Sequence, residues 1–360
     1  MPELNDSIRG CILGGAVGDA LGYAVEFMDW EWIRSRYGDE GIREPRLRDG
    51  LAEVSDDTQM TLFTVLGMTA IAGPCLYGSA PETASPETCM HWAYRAWYRT
   101  QNDRYDPEAT WSDWLSGRGE LWKWQAPGNT CLGALGSGRY GRMDAPLNDS
   151  KGCGGVMRTA PCAFAPAGFA GADAAPEDTA MLLGAKASAV THCHPMGYIS
   201  GGMLSDMIFR LVYGGAADVD SAALASLESA KRIWPGARQM DRLERLITSA
   251  LELAHGSLPD ERAISALDPA WGGKGGGWTG DDALAIAVLC AARYPDDFEA
   301  CVRAAVNHSG DSDSTGAIAG NLLGAWRGID AVPERWWSKI DVLESAEEAI
   351  RRLQEIARKR

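Results

Sequence analysis

The sequence predicts an all-α protein. Apolar residues recur at helical spacing in segment after segment, Ala, Leu and Met dominate those segments, and strictly alternating runs of Val, Ile and Thr are absent. Ile8, Ile12, Leu13, Val17 and Leu21 mark the first helix, whose periodicity continues through residues 14–27 despite four glycines. Met60, Phe63, Leu66 and Met68 mark the next, opening at Ser55-Asp56-Asp57-Thr58. Further stripes follow at Met181, Leu182 and Ala185, at Leu243, Leu246, Ile247 and Leu251, and at Leu284, Ala287, Val288 and Ala291. Residues 316–325 form another apolar segment, opened by Asp311-Ser312-Asp313-Ser314-Thr315, and Leu343, Ala346, Ile350 and Leu353 close the series. Stretches 38–50, 126–141, 148–158 and 271–280 carry Gly and Pro and are expected as loops, where sites usually form. Residues 167–178 read as a surface excursion. No repeat of 20–50 residues and no low-complexity linker divides the chain, so one domain over residues 1–360 is expected.

Composition narrows the function classes. The chain has 360 residues, 46% hydrophobic and 23% charged, as in globular domains, and a net charge of −15. An acidic field of that size argues against nucleic acid and anionic membrane surfaces, and an anionic ligand would need a local cation or helix N-termini. The start lacks a basic and apolar leader, and the most apolar stretch, residues 283–292, is about half a bilayer span. The cytoplasm is the expected compartment. Nine cysteines with no Cys-x-x-Cys pair argue against a disulfide framework and a zinc ribbon, and most are expected as small core residues.

Two acid-rich helix starts carry the chemistry. Ser and Asp at such positions cap helices and complement the dipole, which suffices for Ser55–Thr58 taken alone. Asp311-Ser-Asp-Ser exceeds what one cap needs, because its paired carboxylates repel unless a cation offsets them. Hard oxygen donors suit Mg²⁺ or Mn²⁺, and if both groups converge they suffice for two ions. Asp281-Asp282 also opens a helix but has no hydroxyl or Asp-x-Asp partner, and is assigned to capping. Gly15, Asp19, Gly22 and Glu26 share one stripe, either for close helix packing with the acids solvated at its edge or for a site into which Glu26 points. The loop Asn148-Asp-Ser150-Lys-Gly152-Cys-Gly154-Gly155-Val-Met157-Arg158 offers amides for a phosphate. His192 and His194 are two apart, a spacing more often of ordinary polar contacts than of metal ligands. Trp278 stands in a glycine-rich loop, able to stack on a base or to anchor the loop. Six tryptophans crowd residues 92–124, as core or as recognition surface.

Taken in order, residues 14–26, Ser55-Asp-Asp-Thr58, the Gly-Cys-Gly-Gly-Val-Met-Arg loop, Thr191-His192 and Asp311-Ser-Asp-Ser resemble the ADP-ribosylglycohydrolase family, the relatives of the dinitrogen-reductase-activating glycohydrolase. The resemblance runs from about residue 8 to about residue 326. It implies a compact orthogonal helical bundle with a binuclear Mg²⁺ or Mn²⁺ centre that cleaves the N- or O-glycosidic bond between ADP-ribose and an acceptor, reversing mono-ADP-ribosylation. By position it implies Ser55, Asp56 and Asp57 as one ligand set and Asp311, Asp313 and Ser314 as the other, with Glu26, Asp56 and Asp313 catalytic. Asn129, Ser150, Gly152, Gly154, Gly155, Met157 and His192 match positions that line the ligand, and Trp278 is the candidate base-stacking residue. Members acting on ADP-ribosylarginine carry an Asp three residues before the matching asparagine, where this chain has Ala126, which sets an arginine linkage in question. The implied partner is an ADP-ribosylated protein or a small ADP-ribosyl conjugate. From another class, a binding protein without turnover, in an immunity or sequestering role against a toxin, remains an alternative.

Overall fold

The computed structural model describes residues 2–73 and 84–359, so Cys75 lies outside the described residues. Its helices are α1 (Leu4–Tyr23), α2 (Trp30–Tyr37), α3 (Asp56–Ala72), α4 (Pro86–Asn102) and α5 (Asn129–Gly136). Then come α6 (Thr179–Ala189), α7 (Pro195–Val212), α8 (Val219–Ile233), α9 (Met240–Ala254) and α10 (Asp260–Ala266). The last are α11 (Gly280–Arg293), α12 (Phe298–Val306), α13 (Ser312–Arg327), α14 (Glu334–Trp337) and α15 (Leu343–Ala357). The strands β1 (Leu47–Arg48) and β2 (Leu51–Ala52) pair as a small hairpin, and the fold is all-α.

The central pair is α1 against α13, antiparallel and backbone to backbone. A Cβ on Gly10 would lie 2.1 Å from the Gly324 carbonyl oxygen, one on Gly14 2.6 Å from that of Gly320, and one on Gly18 2.0 Å from that of Gly316. Glycine at every fourth position of both helices permits this approach, since even a methyl group would meet backbone. The small-residue packing read from the sequence is therefore present. Of its two acids, Asp19 is fully buried rather than solvated at the edge, and Glu26 is half-buried.

This packing delivers the start of α13 to the end of α1, where a Cβ on Gly22 would lie 2.2 Å from the Ser312 carbonyl oxygen. Helix α1 stops at Tyr23, earlier than its sequence periodicity suggested, and Glu26 sits in the following turn, just before Phe27 at φ +63°. Left-handed backbone is costly for an aromatic residue, so the turn is held by its surroundings. The stretch 126–141, expected as loop, contains α5.

Asp281 and Asp282 occupy the first turn of α11 as expected, but their side chains leave the helix end uncapped. Both pair with Arg242 of α9, which also holds Asp268. Of the tryptophans in 92–124, Trp97 is core while Trp124 is 61% exposed, so the segment is neither wholly core nor wholly surface. The described cysteines are free thiols, and all but Cys153 are buried. Among the described residues, no helix is long and apolar enough to cross a membrane.

Candidate active site

Helices α1, α3 and α13 bring their acidic ends to one cavity of about 270 Å³. Ser55 is the N-cap of α3, its hydroxyl accepting from the Asp57 amide at 3.2 Å. Asp19 reinforces this cap from α1, accepting from the Ser55 amide at 2.9 Å, the Thr58 amide at 3.0 Å and the Thr58 hydroxyl. Asp56 accepts from the Gly128 amide at 3.2 Å, and its own amide donates to the Gln125 carbonyl at 2.9 Å, which fixes the approach to α5. Asp311 caps α13, accepting from the Ser314 amide at 3.3 Å, while Asp313 accepts from the same amide at 2.9 Å.

Carboxylate oxygens of Glu26, Asp311 and Asp313 lie within 4.8 Å of one another, forming an acidic group able to hold a metal ion. Asp56, Asp57 and Ser314 line the same cavity. Burial, then the charge of Asp313, pushes Asp56, Asp57 and Asp311 well above the usual carboxylate range. The same two causes push Asp19 to about 7, and burial with Asp313 and Asp311 pushes Glu26 to about 10. The buried Asp57 Oδ2 has no hydrogen-bond partner. Clustered hard oxygens, mutual repulsion and an orphaned carboxylate oxygen fit one or more divalent cations.

The opposite wall comes from the glycine loop and the segment after α6. Gly152, Gly154, Met157 and His192 line the cavity with Asn129 and Trp278. The glycines let the loop lie on the imidazole: a Cβ on Gly152 would stand 3.2 Å from His192 Nε2, and one on Gly154 3.0 Å from Cε1. Ser150 and Gly155 do not line the cavity. Ser150 Oγ accepts from the Gly152 amide at 3.4 Å, and Gly155 packs under α7, where a Cβ would meet the Gly197 carbonyl oxygen at 2.8 Å. The loop is a poorer phosphate cradle than its sequence suggested, because the amides of Gly152, Cys153 and Gly155 already bond Ser150 Oγ, the Trp278 carbonyl and the Gly152 carbonyl. His194 does not join His192, since its Nδ1 accepts from the Met196 amide as the cap of α7.

Trp278 stacks on Phe27 at the cavity rim, centroids 5.3 Å apart and planes 20° from parallel. Phe27 is 71% exposed and, with Trp278, presents aromatic surface at that rim.

Comparison with known proteins decides the family. The family model for ADP-ribosylglycohydrolase matches residues 1–360. The chain belongs to the ADP-ribosylglycohydrolase family. It is a glycosidic-bond hydrolase. The ADP-ribosyl-[dinitrogen reductase] glycohydrolase of Rhodospirillum rubrum is 29% identical over 98% of this chain and 95% of its own length. An uncharacterized protein of Archaeoglobus fulgidus is 27% identical over 98% of this chain and 97% of its own length. A solved structure described as an ADP-ribosylglycohydrolase-related protein complex shares the fold, with a TM-score of 0.65 at 23% identity, over 99% of this glycohydrolase chain and all of that one.

Several wall residues of this glycohydrolase escaped sequence reasoning as site members, among them Phe27, Thr130, Cys131 and Cys153. Cys153 sat inside the glycine motif and Phe27 beside Glu26, so adjacency was their only signal. Ala126, singled out by its departure from the family pattern, does line the cavity, at φ +51°.

Proposed function

We propose that this glycohydrolase cleaves the bond between ADP-ribose and an acceptor with the help of two Mg²⁺ or Mn²⁺ ions, reversing mono-ADP-ribosylation, and that residues 1–360 act as one domain. The observation that carries this reading is the convergence of Glu26, Asp311 and Asp313 on a cavity that Asp56, Asp57 and Ser314 also line. Those six residues are the candidate ion holders. Ser55, buried behind the wall with its hydroxyl on the Asp57 amide, supports the set by fixing the start of α3. Bound there, divalent cations would neutralise the carboxylates, offset the net charge of −15 for an anionic ligand and polarise a water.

The chain's own residues do the rest. Glu26, which lines the cavity beside Asp311 and Asp313, is the group proposed to move the proton, with Asp56 and Asp313 beside it as catalytic carboxylates. Asn129, Gly152, Gly154, Met157 and His192 line the diphosphate and ribose, and Ser150 and Gly155 hold that wall from behind. Trp278, stacked on Phe27, offers an aromatic face to the base. An ADP-ribosylated protein is the proposed substrate, supported by the name of the Rhodospirillum rubrum relative. Ala126 in the cavity wall favours a linkage other than arginine.

Release of free ADP-ribose from arginine-linked and serine-linked ADP-ribosyl proteins, each with Mg²⁺, Mn²⁺ or EDTA, tests the proposal. Metal-dependent release from the serine-linked substrate is expected. No release from either, with free ADP-ribose still bound, would replace it with a binding role.

A further inference from the structure

Arg158 is fully buried and, among the described residues, has no carboxylate ion-pair partner. Its Nη1 donates to Met60 Sδ at 3.3 Å and Cys131 Sγ at 3.5 Å, its Nη2 to the Ala187 carbonyl at 3.1 Å and Thr191 Oγ1 at 2.6 Å. The Tyr94 ring lies 4.1 Å from the guanidinium carbon, and Nε has no hydrogen-bond partner. Its charge also lowers Asp56 against the effect of burial; a buried cation without a salt-bridge partner still costs stability, which points to a purpose beyond packing.

The shortest of its bonds leads to the active site. Guanidinium groups only donate, so Thr191 Oγ1 accepts from Arg158. The single hydroxyl proton is then free for His192 Nδ1, 2.8 Å away. The nearby Cys131 sulfur is the weaker acceptor. A neutral imidazole that accepts at Nδ1 carries its proton on Nε2. That end of the ring lies against the bare Cα atoms of Gly152 and Gly154 in the cavity wall. His192 is held neutral by burial and by the Arg158 charge, which lower it to about 3.

We propose that Arg158 is a positioning residue that acts through Thr191 to fix His192 as the Nε2–H tautomer, so that His192 presents a neutral donor to a phosphate or ribose oxygen of the ADP-ribosyl ligand. The last step rests on the proposed place of His192 in the ligand wall; the tautomer itself does not.

Two measurements on the full chain separate these. In ¹⁵N-histidine-labelled protein, His192 is expected unprotonated at Nδ1 and protonated at Nε2. Thr191→Ser keeps that tautomer, while Thr191→Val, nearly isosteric but without the hydroxyl, shifts it and weakens binding of free ADP-ribose about tenfold, the loss of one hydrogen bond to a charged group. A proton on Nδ1 in the wild type, or an unchanged tautomer in Thr191→Val, overturns the relay. A shifted tautomer with ADP-ribose affinity unaltered in both Thr191→Val and His192→Ala overturns the ligand contact and with it the final step.

Discussion

Asp313 is the neighbour whose charge, after burial, does most to raise Asp19, Glu26, Asp56, Asp57 and Asp311. Removing it relieves repulsion in the metal-free fold while dismantling the cluster. Asp313→Asn is therefore expected to stabilise the protein in EDTA by about 1 kcal/mol, the usual scale when a functional strain is released, and to abolish ADP-ribose release in Mg²⁺ or Mn²⁺. Thermal melts in EDTA beside the release assay check both halves; a destabilised Asp313→Asn would contradict the first. Asp311 and Asp313 stood out in the sequence because they place more charge at a helix start than one cap requires, whereas Asp56, Asp57 and Ser314 were assigned by the family resemblance, since capping alone accounts for Ser55–Thr58. Ser55 was legible as a cap, and its hydroxyl serves as one. Asp19 was visible on the stripe with Glu26, but not its role at the start of α3, because only tertiary packing brings Ser55 and Thr58 to it.

The pairing of α1 with α13 sets the distance between Glu26 and the Asp311–Ser314 turn, so a side chain between these helices should be felt in both stability and activity. A Cβ on Gly320 would lie 2.1 Å from the Gly14 carbonyl oxygen, whereas one on Gly133 of α5 meets nothing within 4 Å. Gly320→Ala is expected to cost about 1–3 kcal/mol through overpacking, and Gly133→Ala to gain about 0.5–1 kcal/mol through helix propensity. Urea unfolding of the two variants checks the contrast; equal effects would mean that α1 and α13 can move apart freely. Helices with one clear apolar stripe, such as α9 and α15, were readable from sequence. Helix α7 was not, because it is buried nearly all round and shows no stripe, nor was α8, whose buried face is largely Ala and Ser. The glycines around α5 hid a helix in what read as loop.

For the whole molecule, the buried acids govern how stability responds to pH. A carboxyl whose folded pKa exceeds its unfolded value keeps its proton longer in the folded state, so rising pH favours unfolding until the folded value is passed. Asp19, raised from 3.8 to about 7, completes this loss near neutrality, and Glu26, raised from 4.5 to about 10, carries it on above pH 7. The buried His192, His194 and His308 are lowered, so their opposing contribution lies below the ordinary imidazole value and is complete above about pH 6.5. In EDTA the melting temperature is thus expected to fall between about pH 6.5 and pH 8.5, and saturating Mg²⁺ to flatten the fall, because bound cations take the place of the protons. Calorimetry across that window checks it; a flat profile in EDTA would contradict the burial of ionisable acids in the folded protein. In the proposed function, α1, α3 and α13 together assemble a cation site from Glu26, Asp56, Asp57, Asp311 and Asp313. Titration of Mn²⁺ into metal-free protein, followed by electron paramagnetic resonance, tests it most directly: two ions bound per chain, with occupancy lost in Asp313→Ala, is the result predicted, and no binding by the wild type, or undiminished binding by Asp313→Ala, would contradict it.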